Sequence, residues 1–330
     1  MKYLGQDKVE ILWTGGYDST FMLFLLAYNY NVKIQPYYLD MDRNIRDREV
    51  KAIKKIFSFI KNDKLVRDKV LSPKFIDSKY FVTENDVENA FNVYKESPYL
   101  LGSQIMYLAQ FAKKHKGICF GQQRYSSVPG HMWKLLTELG HMEFNDKIGY
   151  LKKEKSEPFV YTLFGNFTLP IITYSNLMMA KMIKEWGLEE VFANVTWCYQ
   201  PVHEKPCGVC YPCRIKISQG LTYLFDDEAL KRNHVWKMLK EKENKLDFVW
   251  SGKQAYSLSE IFEMYCCEEK DDNVIRSIKK SNSDKKTKEF LIKNYNLQFE
   301  KYYMYFEELL KNEKNLGLFS LTGSSMPDVS

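Results

Sequence analysis

One stretch limits the fold of this chain more than any other: Val9-Glu10-Ile11-Leu12-Trp13, then Thr14-Gly15-Gly16, then the apolar run Phe21 to Ala27. The first five residues suit a short buried strand and the apolar run is long enough for a buried helix, with glycines at the turn between them. A helix placed after a strand carries the chain back across the sheet, so the next strand lies parallel to the first. The pattern recurs. Val32 to Leu39 predicts a strand ending at Asp40, and Arg46 to Ile60 a helix with Val50, Ile53, Ile56, Phe57 and Ile60 on one face. Helices are expected over 87–95, 98–114, 130–139 and 175–186, with a short strand at Gly117 to Gly121. This alternation predicts a doubly wound α/β fold, a parallel sheet with helices on both faces.

With 45% apolar and 27% charged residues among 330, the chain has ample material for a core and does not read as disordered. Beyond about residue 220 the texture shifts to Lys/Glu-rich segments with Trp, Phe and Tyr at helical spacing. Residues 1–220 are therefore taken as one domain and 221–330 as a helical extension. Lys279 to Lys288 is expected to be a solvated loop, and the tail from Ser320 mobile. Residues 1–220 hold 30 basic and 23 acidic side chains, and the remainder 18 and 19. A mild positive field of this kind serves an anionic small molecule as well as a nucleic acid, so nucleic acid is not required to explain it. No apolar run reaches the roughly 18 residues that span a bilayer, and nothing before Val9 reads as a targeting signal. The chain is expected to be soluble and cytoplasmic, with its seven cysteines as thiols or metal ligands rather than disulfides.

The loop after the first strand carries chemistry. Glycine lets backbone N–H groups approach an anion, and a helix N-terminus adds the positive end of its dipole. Ser19 and Thr20 offer hydroxyl donors to the same oxygens, and Asp18 and Ser19 suit a helix start. The segment reads as a phosphate or pyrophosphate cradle. It lacks the Gly-Lys-Ser/Thr of a Walker A loop and the spacing of G-x-G-x-x-G.

The second cluster is Cys198, Cys207, Cys210 and Cys213, four thiols within 16 residues at C-x8-C-x2-C-x2-C spacing. Two-residue gaps let successive sulfurs converge on one ion, and Gly208 permits the tight turn. Four thiolates around Zn²⁺ make a closed structural site with no position for water. An iron–sulfur cluster is the rival reading, and His203 is a loop histidine that can replace a cysteine. Cys119 lies in an apolar strand and reads as a packed thiol, while Cys266 and Cys267 carry no assigned role.

The order strand, Thr-Gly-Gly-Tyr-Asp-Ser, apolar helix resembles the S-G-G-x-D-S loop of the PP-loop ATP pyrophosphatases, of the HUP or adenine nucleotide α-hydrolase-like type, with Thr14 keeping the hydroxyl. Together with Val195-Thr196-Trp197-Cys198-Tyr199 and the cysteines behind it, residues 8–220 resemble the 7-cyano-7-deazaguanine synthase (QueC) family. Members use ATP to adenylate the carboxylate of 7-carboxy-7-deazaguanine, releasing pyrophosphate, before ammonia attacks. The resemblance implies an ATP-dependent C–N ligase with ATP, Mg²⁺ and structural Zn²⁺. It implies an ATP and pyrophosphate site of Trp13, Thr14, Gly15, Gly16, Tyr17, Asp18, Ser19, Thr20 and Asp40, with Asp18 and Ser19 catalytic. It lays Arg43, Gln104, Gln122 and Arg124 on the substrate pocket and places Glu49 near a further acidic position. A homodimer is the family's usual form.

Two positions depart from the pattern. Ser103 stands where the family has an arginine and Asn176 where it has a lysine, and such cations stabilise phosphate charge in adenylyl transfer. Arg43, Arg46, Arg124 and Lys181 are the candidate replacements. The altered pocket and the added C-terminal region resemble QueC-like components of anti-phage operons of the nucleotide-signalling (CBASS) kind. There the acyl-adenylate is expected to meet an amine other than ammonia, such as the N-terminus of a protein acceptor from the same operon. Two alternatives stand beside this: a PP-loop tRNA-modifying enzyme, and a regulatory protein that binds nucleotide through a degenerate loop.

Overall fold

The computed structural model describes residues 7–41, 45–77, 84–99, 102, 104–124, 131–241, 248–250 and 254–256, with single positions at 262, 263, 266, 285 and 289. The chain forms two compact units: Met1–Trp197 with Gln219–Leu221, and Cys198–Ser218 with Thr222–Ser330.

In the first unit, β1 (Lys8–Leu12) leads to α1 (Tyr17–Asn29), β2 (Lys33–Asp40), α2 (Arg46–Asn62), β3 (Lys74–Asp77), α3 (Asn85–Lys95), α4 (Gln104–Lys114) and β4 (Ile118–Cys119). Then come α5 (His131–Lys134), continued by a π-helical turn at Leu135–Leu139, and an antiparallel hairpin of β5 (Met142–Asn145) and β6 (Ile148–Leu151). After these follow α6 (Pro158–Phe164), β7 (Phe167–Thr168), α7 (Asn176–Glu185) and α8 (Glu189–Phe192). Five strands form one parallel sheet in the order β3-β2-β1-β4-β7, as the alternation predicts. β3, the β5–β6 hairpin, α6 and β7 are additions the sequence pattern does not signal. A two-residue strand such as Phe167–Thr168 is defined only by its partner and is too short to show a period of two.

Both faces of the sheet are covered, and side-chain alternation decides which helix goes where. Leu12, Tyr37 and Leu39 point into one core with α3, α4 and α6, among them Val87, Leu108, Phe111 and Val160. The opposite side of β1 and β2 meets the first two helices: the Trp13 indole donates to Thr20 in α1 at 3.0 Å, and the Tyr38 hydroxyl to Glu49 in α2 at 2.9 Å. Helix α1 is buried on ten of its thirteen residues, so it needs no amphipathic pattern. Helix α2 lies at the surface and buries only Glu49, Ala52, Ile53, Ile56 and Ile60.

Pro36 stands in the interior strand β2, where a ladder donor is lost. The neighbouring N–H of Ile34 bonds Lys69 on the β3 side at 2.8 Å, so the absent Pro36 N–H belongs to that same side. There the pairing is interrupted between the Ile34–Val70 bridge and the start of β3. The Gln35 amide bridges the gap, donating to Ser72 and Pro36 carbonyls at 2.9 and 3.1 Å.

Glu10 ties β1 to β2 and to the end of α4, accepting from Tyr37 at 3.0 Å and lying 2.7 Å from His115 Nδ1. Partial burial raises the carboxyl, but hydrogen bonds to His115 and Tyr37 and the charges of His115 and Lys8 outweigh it, leaving its pKa below the ordinary 4.5. A depressed carboxyl pKa gives stability that is present above the unfolded value and is lost as pH falls through the folded one. Glu10→Gln should therefore lower the melting temperature at pH 7, by the equivalent of about 1 kcal/mol or less after solvent screening. The gap from wild type should close as pH drops below the ordinary carboxylate range, as measured by melts between pH 7 and pH 3.

In the second unit, α9 (Tyr211–Ser218), a 3₁₀ turn at Thr222–Leu224 and α10 (Asp227–Glu241) precede a hairpin of β8 (Phe248–Trp250) and β9 (Gln254–Tyr256). The helical reading of this region is met by α10, which starts at an Asp226 side chain accepting from Ala229 N–H at 2.9 Å. The hairpin departs from it, since Phe-Val-Trp has strand propensity. The segments at 279–288 and 320–330 lie outside the described residues, apart from Lys285.

Candidate functional site

Where β1 and β4 run side by side, the chain leaves β1 toward β2 and β3 on one side, while β4 and β7 lie on the other. In open α/β sheets the carboxyl ends of the strands at such a reversal are the usual ligand position. The loop Thr14 to Gly16 lies there at the head of α1, and the segment Gly121 to Arg124 lies there after β4.

The glycine loop is shaped by close packing. Gly15 has φ +68°, and a Cβ on it would fall 3.1 Å from Ala52 Cβ and from the Ile53 nitrogen. Its carbonyl accepts from Thr196 N–H at 2.9 Å. The hydroxyls of Thr14 and Ser19 are 3.2 Å apart, and Ser19 Oγ also accepts from Thr14 N–H at 3.3 Å. Gly16 N–H donates to the Thr14 hydroxyl at 3.3 Å. Thr14, Gly16 and Ser19 thus form one polar group at the start of a thirteen-residue helix, where dipole and N–H groups favour an anion.

The other predicted loop residues have different surroundings. Trp13 and Thr20 are fully buried and hydrogen-bonded to each other. Tyr17 is buried with its ring edge-on to Phe192, centroids 5.4 Å apart. Asp18 is half-buried, and its Oδ2 accepts from Gln123 Nε2 at 3.5 Å. Asp40 ends β2 and pairs with Arg46 at the head of α2, which raises the guanidinium pKa through the Asp40 hydrogen bond and charge. Glu49 is buried on the α2 side of the loop, its carbonyl 3.2 Å from where a Gly15 Cβ would sit.

Of the substrate-pocket candidates, Gln122 and Arg124 flank Gln123. Gln122 donates to the Gln123 carbonyl at 2.9 Å, and Arg124 N–H donates to Tyr174 at 3.0 Å. The Arg124 guanidinium lies 5.8 Å from the Trp133 ring centre. Gln104 opens α4 and is exposed, while Arg43 lies outside the described residues. Asn176, which the resemblance lays on a lysine position, is 1% exposed, and its Nδ2 donates to the side-chain Oε1 of Gln219. Lys181 is exposed on α7. Gln123, which the resemblance places in the same substrate loop as Gln122 and Arg124 without a role of its own, is the residue of that loop that reaches Asp18. Its only signal is a place between Gln122 and Arg124, and its Asp18 partner is 105 positions away.

The second unit holds the cysteines. Cys198, Cys207, Cys210 and Cys213 are all buried, and their Sγ atoms lie within 4.8 Å of one another. Cys198 and Cys210 are 3.8 Å apart, and Cys207 and Cys213 3.9 Å. Four sulfurs about 2.3 Å from a central ion form a tetrahedron with edges of about 3.8 Å, so the group can hold one metal ion such as zinc. An iron–sulfur cluster spreads four thiolates over two or more irons, so its outermost sulfurs lie wider apart than the 4.8 Å that bounds these four. Cys207 N–H donates to Cys198 Sγ at 3.3 Å and Cys210 N–H to Cys207 Sγ at 3.2 Å, bonds that favour thiolate. His203 occupies an exposed turn with φ +48° and is not among the four ligands. Cys119 is a buried thiol whose pKa burial pushes up to about 12.

Helix α10 holds the knuckle from behind. Arg232 donates to the Cys207 carbonyl at 2.8 Å and Asn233 to the Gly208 carbonyl at 2.9 Å. Gly208 has φ +83°, and a Cβ there would lie 2.0 Å from the Ala229 carbonyl oxygen, so no other residue fits. Arg214 donates to the Val209 carbonyl and to Glu263, with its guanidinium carbon 4.2 Å above the Trp236 ring. Such outer contacts fix metal ligands in place.

No protein-family model matches this chain, and no curated protein matches it. Among the described residues, no helix is long and apolar enough to cross a membrane.

Proposed function

We propose that the protein is an ATP-dependent, adenylate-forming C–N ligase of the PP-loop type. The observation that carries this reading is the Thr14–Ser19 loop at the head of α1, set at the strand-order reversal with Asp18 facing the segment after β4. A loop there suits a triphosphate, with Gly15 at φ +68° and close to α2, Gly16 leaving little room for a Cβ beside Thr14 and Thr196, and the α1 dipole directed at negative charge. The resemblance to the QueC family supplies the acceptor class, a 7-deazaguanine-type carboxylic acid.

In the proposed reaction a carboxylate oxygen attacks the α-phosphorus of ATP. The bond between the α-phosphorus and its bridging oxygen breaks, and pyrophosphate leaves. An amine then attacks the acyl carbon, AMP leaves with the bonding electron pair, and the amine's extra proton passes to solvent. Thr14 and Ser19 orient phosphate oxygens through their hydroxyls, and Asp18 holds the ion that accompanies the nucleotide. Magnesium bound there supplies charge neutralisation on the departing pyrophosphate. The acceptor amine is ammonia or a protein N-terminus in an anti-phage operon, the protein working in the cytoplasm as a homodimer. Zinc in the cysteine group is structural, because four thiolates leave no open position.

Incubating the protein with ATP, Mg²⁺, 7-carboxy-7-deazaguanine and ammonium should release pyrophosphate and AMP in equal amounts, followed by coupled phosphate and nucleotide assays. No release above the acid-free control sinks the ligase reading. ATP binding without turnover would instead favour the regulatory alternative.

A further inference from the structure

We propose that Gln123 is a positioning residue of the nucleotide site: its amide nitrogen holds the Asp18 carboxylate, and its carbonyl oxygen receives a water of the magnesium ion that accompanies ATP. This rests on the reading above. Gln123 is 5% exposed, and its Nε2 donates to Asp18 Oδ2 at 3.5 Å. Its Oε1 is buried and has no hydrogen-bond partner among the described residues. A buried amide oxygen without a donor is unfavourable, and a native core avoids it by placing an apolar side chain of the same size there. Such groups persist where a ligand or ordered water completes them.

The segment that carries Gln123 is fixed at both ends. Gln122 N–H donates to the Phe120 carbonyl at 2.9 Å and its side chain to the Gln123 carbonyl at 2.9 Å, while Arg124 N–H donates to Tyr174 at 3.0 Å. Gly121 lies so close to α1 that a Cβ on it would be 3.2 Å from the Ser19 nitrogen. The Gln123 side chain therefore meets the first turn of α1 from a rigid base.

The chemistry selects the missing partner. An acceptor beside a carboxylate repels phosphate oxygens, which are themselves acceptors, and the phosphates belong on the N–H side of the glycine loop. What fits an amide oxygen next to a carboxylate is a donor carried by a cation. Magnesium keeps several waters when bound through one or two carboxylates and substrate phosphates, and one such water satisfies Gln123 Oε1. A long, loose hydrogen bond to Asp18 is also expected of a site that tightens only with its ligand.

Calorimetric titration of the full-length protein with ATP, at a series of Mg²⁺ concentrations and without the acid, reads this directly. Gln123→Met keeps the length and volume but removes donor and acceptor. It should raise the half-saturating Mg²⁺ about ten-fold, while ATP affinity at saturating Mg²⁺ stays within about two-fold of wild type. Gln123→Glu keeps an oxygen in the same place and adds charge, so it should lower the half-saturating Mg²⁺ at least about three-fold. Thermal melts establish which variants are folded, and if Gln123→Met is not, Gln123→Glu carries the test. A folded variant with the wild-type Mg²⁺ requirement overturns the role of Gln123, as does one that changes only the KM for the attacking amine. Wild-type protein that shows no Mg²⁺-dependent ATP binding overturns the functional reading itself, so the two failures are separable.

Discussion

Cys210→Ser should lose bound metal and unfold the cysteine-containing unit. Elemental analysis should find one zinc per wild-type chain and close to none in the variant. A melt should show the second unit's transition lost or lowered by tens of degrees, and prolonged treatment of wild type with a strong chelator should give the same result. Structural zinc in small domains contributes on the order of 10–16 kcal/mol of apparent binding free energy, against a domain stability of about 5–15 kcal/mol. Without an ion, neighbouring sulfurs and burial keep Cys210 and Cys213 as protonated thiols. Cys198 and Cys207 push the Cys210 thiol up, and Cys213 is pushed up by Cys198, Cys207 and Cys210. A bound ion displaces those protons and takes the sulfurs as thiolates. The α10 contacts from Arg232 and Asn233 reach only the carbonyls of Cys207 and Gly208, and those bonds alone do not hold four sulfurs together. A variant that keeps full metal content and a wild-type melt would refute the metal role.

The second large effect is expected at Asp18. Asp18→Asn should lower pyrophosphate release with the acid at least about 100-fold, the scale of losing one charge-stabilising group in a transfer reaction. It should shift the melting temperature by no more than a few degrees. The side chain is half-buried at the helix head, so the amide keeps its size and its acceptance from Gln123. What the substitution removes is the negative charge that, in the proposed site, holds magnesium. Activity assays paired with melts separate the two effects, and an active Asp18→Asn protein would leave only nucleotide binding to the loop.

The chemistry-bearing residues that sequence reading found are those whose partners lie close along the chain. Thr14, Gly15, Gly16 and Ser19 build the loop within six positions, and the four cysteines lie within 16. Strand and helix periods are likewise local, so β1, α1, β2, α2 and α7 are legible. The hidden contacts are those that cross the sheet or join distant helices. No sequence signal pairs β1 with β4 rather than with β2 alone, and it is that pairing that brings Gly121 and Gln123 against Asp18 and Ser19.

The sequence by itself determined the parallel α/β class, the glycine loop at a helix head and four thiols spaced so that they could hold one metal ion, because each is written in short-range spacing and residue chemistry. Only the tertiary structure decided that Trp13 and Thr20 face the interior and each other. It also decided that Asp40 is held by Arg46, and that Cys198–Ser218 packs as one unit with the chain from Thr222. It placed a buried amide, Gln123, beside the acid at the head of α1. These follow from which faces pack together and from the space left between them, quantities fixed by the whole core rather than by any run of neighbouring residues.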